Sequence, residues 1–364
     1  MTVIDYRTRF ILMRHWSSLL LIVILLLVVS PLQAQDPTPA SARLDGIRHV
    51  YQEWNNCGPA NLTMAMSYFG WGYDQDVAAN WLKPTIEDKN VSPREMAAFV
   101  NQQTDLPIRA LWRFGGTFEL VKSFIANGFP VILQSGYEVE DLGWMGHYET
   151  IVAYDDPSET FWIFDSYLGN GNGLGRTASY DEVDTYWRHF NRTFVVLFPL
   201  DRETELRDLL GSYVDPMYAA EAALSTARQE AAEDPTDAWA WFNAGTSAVK
   251  LGRYNDAAIY YDEAIRQELP YRMLWYQFGP YEAYYNIGRY NDVLELADAT
   301  EEVTVYVEET YYWRGMALAA LGRQQEAVAQ FNEALSYNRN FTDAQTAIST
   351  LQTNAYVAPA AAVQ

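Results

Sequence analysis

The sequence predicts two unlike halves: an α+β domain over residues 46–198 and an all-α repeat solenoid over residues 214–354. Three observations predict this. Helical and strand periodicities are mixed in the first half, whereas the second is helical throughout. The turn Leu251-Gly252-Arg253-Tyr254 recurs as Ile287-Gly288-Arg289-Tyr290 and as Leu321-Gly322-Arg323, at offsets of 36 and 34 residues. The only cysteine, Cys57, stands in the first half where a polar run gives way to an apolar helical pattern.

The chain of 364 residues is long enough for two domains, and at 49% apolar residues it can build sizeable cores. Residues 1–34 read as a targeting segment. Arg7, Arg9 and Arg14 precede the apolar run Leu19–Val29, and Ala34 offers a small residue for cleavage. The segment is either a cleaved signal peptide or a retained signal anchor, since the apolar run is near the lower limit for a span. Either alternative predicts an exported chain, secreted or membrane-anchored, with its body outside the cytoplasm. Contact with a membrane is expected only through such an anchor. Residues 35–45 are expected to be a flexible leader, 199–213 a linker and 355–364 a disordered tail.

The formal charge is −22, and removing residues 1–34 leaves about −24. A body this acidic repels phosphate backbones, so nucleic acid is not an expected partner. A single cysteine forbids an intramolecular disulfide and leaves either an inert or a functional thiol.

The segment around the thiol is Gln52-Glu53-Trp54-Asn55-Asn56-Cys57-Gly58-Pro59-Ala60. Pro59 suits the first turn of a helix. Cys57 is thereby expected at a helix amino terminus, where the macrodipole favours a thiolate. A cysteine nucleophile needs a base, and the chain has four histidines. His15 lies in the targeting segment, His49 reads as a local polar residue and His189 falls near the domain's end. His147 opens a β-rich run through Tyr154. The turn residues Asp155–Glu159 follow, and a second strand ends at Asp165. A hairpin centred near Asp156 sets His147 opposite Asp165 on one face, where the carboxylate can fix the imidazole tautomer. A one-residue slip would move Asp165 to the other face. Gln52 could join the Cys57 N–H as an oxyanion donor.

Gln-x-x-x-x-Cys-Gly-Pro-Ala before a helix, Gly-His-Tyr opening a strand and a hairpin ending in Asp together resemble cysteine peptidase family thirty-nine. This is the papain-like family that includes peptidases of double-glycine leaders. The resemblance covers residues 46–198. It implies a papain-like α+β fold with Cys57 as nucleophile, His147 as general base, Asp165 as orienter and Gln52 as oxyanion donor. Gln52 lies five positions before the cysteine, where family members commonly have six. The chain shows no transporter or nucleotide-binding segment, so leader cleavage coupled to export is not implied.

In the second half, Trp239, Trp241, Gly245, Leu251-Gly252-Arg253-Tyr254, Ala264 and Pro270 resemble one tetratricopeptide (TPR) repeat, and Tyr312, Gly315, Ala327 and Phe331 belong to a later copy. Between them, Gly279-Pro280 interrupts the expected first helix of the second copy. Residues 215–231 read as a leading helix and Thr342–Leu351 as a capping helix. Residues 201–364 hold 25 acidic and 11 basic side chains. The groove of such an array could take a peptide or protein ligand, or the array could be a spacer.

The glycine-rich run 169–175 lacks the Lys-Ser/Thr of a phosphate loop and reads as a cleft rim. No cofactor and no metal are expected, because no His/Cys cluster has ligand spacing. The expected function is thiol-based hydrolysis of a peptide or protein substrate. The alternatives are a catalytically silent adaptor and another thiol acyl transferase, such as a transpeptidase or amidase.

Overall fold

The computed structural model describes residues 38–139, 141–353 and 355–359, so the targeting segment and residues 360–364 of the expected tail lie outside the described residues. The amino-terminal half is built on one antiparallel sheet of β1 (Ser41–Arg43), β2 (Ile108–Arg113), β3 (Val131–Val139), β4 (Gly143–Asp155), β5 (Thr160–Asp165), β6 (Arg176–Ser179) and β7 (Phe194–Pro199). The strand order is β2-β7-β3-β4-β5-β6. β1 pairs with the end of β4, with Arg43 opposite Ala153. The expected leader is thus partly a strand, because the β3–β4 pairing ends at Val131 opposite Ile151 and leaves that edge of β4 open to it.

Helix α1 (Cys57–Ser67) is buried on every side from Gly58 to Met66. It can be, because it runs between two apolar clusters. Ala60 and Met64 pack with Val131, Leu133 and Ile151, while Leu62, Ala65 and Met66 pack with Leu82, Phe99 and Val195. α2 (Gln75–Leu82) and α3 (Pro93–Gln103) cover the second cluster. α3 starts with a full capping box between Ser92 and Glu95. α4 (Phe118–Ala126) and α5 (Tyr180–Trp187) close the first cluster. The stretch expected as a linker holds α6 (Glu203–Leu210), whose Leu206 and Leu210 belong to that same cluster. A two-leucine apolar stripe at i, i+4 makes it a packed helix rather than a tether.

The carboxy-terminal half is all helical: α7 (Pro216–Glu233), α8 (Ala238–Lys250), α9 (Tyr254–Arg266), α10 (Gly279–Asn286), α11 (Tyr290–Glu301), α12 (Glu308–Ala320), α13 (Gln324–Tyr337) and α14 (Thr342–Gln352). The α8–α9 and α12–α13 pairs each cross tightly at a glycine. A Cβ on Gly245 would lie 2.6 Å from the Tyr261 ring, and one on Gly315 would lie 2.5 Å from that of Phe331. The Gly279-Pro280 interruption shortens α10 to 8 residues without abolishing it. Pro280 takes the first turn, and the lost length is replaced by a 3-10 turn at Tyr271–Trp275. Residues 355–359 lie against the repeats, with the Tyr356 hydroxyl 2.7 Å from that of Tyr285 and the Pro359 carbonyl 3.1 Å from the Tyr290 hydroxyl.

The two halves share an extended polar and aromatic interface. Asn191 Nδ2 donates to Ser247 Oγ at 2.9 Å and Asn243 Nδ2 to the Arg188 carbonyl at 2.7 Å. Asn340 Nδ2 donates to the Trp81 carbonyl at 2.9 Å, and Thr85 Oγ1 to the Tyr337 carbonyl at 2.5 Å. Arg94 pairs with Asp343 at 2.9 Å. Trp239 stacks on His189 with ring centroids 3.9 Å apart.

Candidate active site

Cys57 is the first residue of α1 and is half-buried. The Asn56 side chain does not cap this helix; it donates instead to Gln75 Oε1 at 3.1 Å. Gln75 also accepts from the Glu53 N–H at 3.0 Å and donates to the Tyr51 carbonyl at 2.8 Å. The loop before the cysteine is thereby tied to α2, and the first-turn N–H groups of α1 are left uncapped by a side chain.

His147 lies on β4 and Asp165 ends β5. The hairpin joins them in a register other than the expected one. Glu149, not His147, stands opposite Asp165. The turn residues Asp156–Ser158 form a 3-10 turn followed by left-handed Glu159, which sets Asp155 opposite Thr160, three residues from the expected pairing. That odd displacement alone would put Asp165 on the wrong face. A bulge between Ile151 and Ala153 takes one residue back, so the net displacement is two and the face is kept. His147 Nε2 then reaches Asp165 Oδ1 diagonally at 2.9 Å.

Both side chains are buried, at 4% and 0% exposure, so the pair is not screened by water. Burial alone would lower the His147 pKa. The charge and hydrogen bond of Asp165, joined by the Cys57 side chain, outweigh it and raise the value to about 10. Asp165 is held well below the usual carboxylate range. Burial opposes this, but the His147 charge and hydrogen bond and the N–H groups of Leu168 and Tyr167 prevail. Those N–H groups donate to Asp165 Oδ1 at 2.9 and 2.7 Å. Since an ionised carboxylate only accepts, Nε2 carries a proton, which leaves Nδ1 as the nitrogen available to Cys57.

Gln52 sits at the edge of this group. Its Oε1 accepts from Ser166 Oγ at 2.9 Å, and its N–H donates to the Ser166 carbonyl at 2.8 Å. With the amide oxygen committed, the NH₂ end is the free donor. Ser166 in turn accepts from Asn61 Nδ2 at 3.1 Å. Asn61 is wholly buried and also donates to the Tyr148 carbonyl at 2.7 Å and accepts from Thr150 Oγ1 at 2.8 Å. The structure thus brings Cys57, His147 and Asp165 together, with Gln52 held beside Asp165's neighbour, Ser166.

Several residues of this constellation escaped the sequence reading. Asn61 is four residues past Cys57 and donates to its carbonyl at 2.9 Å; a buried Asn inside an apolar helix was the available signal. Arg176 backs Asp165, with Nε 3.5 Å from Oδ2, and also pairs with the buried Glu149. Tyr137 of β3 lays its ring against His147 with centroids 4.9 Å apart. His49 is more than a local polar residue: its Nε2 bonds the Asp165 backbone carbonyl at 2.8 Å. The glycine-rich rim starts from the same place, since Asp165 and Gly169 exchange backbone hydrogen bonds of 3.1 and 3.0 Å. Among the described residues no group of three His, Cys, Asp or Glu is arranged to hold a metal ion.

Comparison with protein families finds the Peptidase_C39 like family over residues 43–195. Residues 43–195 form a Peptidase_C39-like domain. It is fused to tetratricopeptide repeats, which match over residues 240–268 and 308–341. The interrupted copy between them is not matched, in line with its shortened α10. No curated protein matches the chain. Similar solved structures include the MamA RS-1 ArsTM double mutant, at 14% identity and TM-score 0.33, covering 38% of this chain and 76% of that one. Another is YrrB, described as a TPR protein with an unusual peptide-binding site. It shows 20% identity and TM-score 0.32 over 42% of this chain and 75% of that one. The Peptidase_C39-like domain therefore contains Cys57, His147, Asp165 and Gln52, and the fused array is a protein-binding type of region.

Proposed function

We propose that this chain is a thiol peptidase that hydrolyses peptide bonds through Cys57, His147 and Asp165. The observation that carries this reading is the buried 2.9 Å bond between His147 Nε2 and Asp165 Oδ1, with Cys57 close enough to help raise the His147 pKa. Asp165 holds the Nε2 proton of His147, which leaves Nδ1 to take a proton from the Cys57 thiol. As the sulfur passes that proton to Nδ1 it attacks the peptide carbonyl carbon. The developing oxyanion is met by the Cys57 N–H and the Gln52 amide. As the C–N bond breaks, the leaving amine takes the Nδ1 proton of His147. Water then attacks the thioester, losing a proton to Nδ1, and releases the acid with the sulfur restored.

The repeat region supports a protein-binding role, and the partner visible in the structure is the peptidase-like domain of the same chain. The export pattern of residues 1–34 supports a site of action outside the cytoplasm. The test is cleavage of a mixed peptide library by the full chain and by Cys57→Ala. Cleavage lost in the variant is expected. Cleavage that survives it, or a wild-type thiol that His147→Ala leaves equally reactive, refutes the peptidase reading in favour of a silent adaptor.

A further inference from the structure

Tyr276 does not belong to the peptidase-like domain. It follows the 3-10 turn Tyr271–Trp275 that joins α9 to α10 in the repeat region. Yet this segment grips the end of β4 that leads into His147. The Arg272 guanidinium donates to the carbonyls of Leu142 and Trp144, the latter at 3.1 Å. Gln277 Nε2 donates to the His189 carbonyl at 3.1 Å. The Tyr276 ring packs edge-on against Trp144 and Phe190, with centroids 5.9 Å away in both cases.

The Tyr276 ring lies over Gly146, one residue before His147. The approach is close: a Cβ on Gly146 would fall 3.0 Å from the Tyr276 ring and 2.9 Å from that of Phe190. Glycine at 146 is what admits the ring. Cys57 is also near, since after burial its charge is the next cause that pushes the Tyr276 hydroxyl pKa up. From β3, Tyr137 feels the same two influences and packs on His147. His147 therefore has a tyrosine of the sheet against its ring, and a tyrosine 219 positions downstream of Cys57 against the residue before it.

We infer that Tyr276 is a positioning residue for the Cys57–His147 pair, anchoring Gly146 so that the adjoining imidazole keeps its place against the sulfur. The docked repeat array is then a working part of the active site, and not only a neighbour of it. This rests on the thiol peptidase reading. A ring packed on the backbone one residue from the base, beside an Arg272 that holds the carbonyls of Leu142 and Trp144, limits how far the end of the β3–β4 hairpin can drift. A drift of about 1 Å is enough to spoil proton transfer geometry.

The test is the rate of Cys57 alkylation by iodoacetamide in the full chain between pH 5 and 10, with thermal melts as the fold control. Tyr276→Leu removes the ring that packs on Gly146 and keeps an apolar side chain. It is expected to slow alkylation at pH 7 at least fivefold and to change the shape of the pH profile, while the melt stays cooperative. Tyr218→Leu, at an exposed tyrosine of α7, is expected to follow wild type. Should Tyr276→Leu fail to fold, Arg272→Ala, which frees the same segment from Leu142 and Trp144, is expected to slow the reaction in the same direction. A folded Tyr276→Leu whose profile superimposes on wild type overturns the inference and leaves the Cys–His pair standing, as does an unchanged Arg272→Ala if only that variant folds. A wild-type rate that His147→Ala does not reduce overturns the pair itself, and the inference with it.

Discussion

Changing Glu308 to Gln is expected to make the protein more stable in mild alkali. Glu308 and Glu309 open α12 in the repeat region and are buried against Asp88, Asn90 and Glu95 of the peptidase-like domain. Glu308 Oε1 accepts from Asn338 Nδ2 at 2.7 Å, Glu309 Oε1 from Asn90 Nδ2 at 2.9 Å, and Asp88 Oδ1 from the Asn90 N–H at 3.0 Å. Glu308 Oε2 and Asp88 Oδ2 are both buried with no hydrogen-bond partner, an arrangement that favours protonated carboxyls over ionised ones. The nearest cations are committed elsewhere. Lys83 Nζ donates to the carbonyls of Trp54 and Ile86 at 2.9 Å each, Lys89 pairs with Glu87, and Arg94 with Asp343.

Burial, then the charge of Glu95, raises the Glu308 pKa from 4.5 to about 7, and Asp88 and Glu309 are pushed up as well, burial again coming first. An acid with a raised folded-state pKa binds its proton more tightly when folded. Its stabilisation is complete below about 4.5 and is lost as pH rises through about 7. At about 1.4 kcal/mol per pH unit the loss from Glu308 is on the order of 3 kcal/mol. Glutamine mimics the protonated acid and cannot ionise. The measurement is the melting temperature of wild type and Glu308→Gln from pH 5 to 9. The two should nearly coincide at pH 5, and the variant should lead by roughly 5 °C at pH 8.5. Parallel curves, or a variant that is weaker in alkali, would show that the cluster holds no proton and refute this reasoning.

Other expectations follow from the same structure. Asp165→Asn removes the charge that holds His147 protonated, so the His147 pKa should fall from about 10 toward or below that of free imidazole; the pH profile of Cys57 alkylation reads this directly. Ser166→Ala breaks the chain from Asn61 to Gln52 and should lower kcat about tenfold with little change in KM, at a cost of about 1 kcal/mol in chemical unfolding. Gly315→Ala sets a methyl 2.5 Å from the Phe331 ring and should destabilise the array by about 1–3 kcal/mol, seen as a lower urea midpoint.

Much of this was legible in the sequence because it depends on local rules. The start of α1 at Cys57, the glycine turns of the repeats, the leading helix and the capping helix each follow from residues within one or two turns of one another. The His147–Asp165 contact was legible only in part. Its face came through, but its register depended on the left-handed Glu159 and on a bulge at Ile151/Ala153 that no alternation of apolar residues announces. The contacts of Tyr276 and Arg272 were not legible, since nothing near them in sequence hints at β4. The longer first offset, 36 residues against 34, was the one trace of the extra turn that carries them. Arg176 was hidden for the same reason: its value lies in pairing β6 with β5, across from Ile163.

The interface between the halves also bears on the order in which the chain can finish folding. The Tyr337 carbonyl that takes the Thr85 hydroxyl lies 252 positions away from it, and the Asn340 that takes the Trp81 carbonyl lies 259 away. Loops of that span close late and slowly, after the local helices and hairpins. A chain emerging amino terminus first must therefore hold its Peptidase_C39-like domain with the Trp81–Arg94 face bare until the last repeat has arrived. During synthesis that face is a point of vulnerability, and arrival of the final helices is the event that ends it.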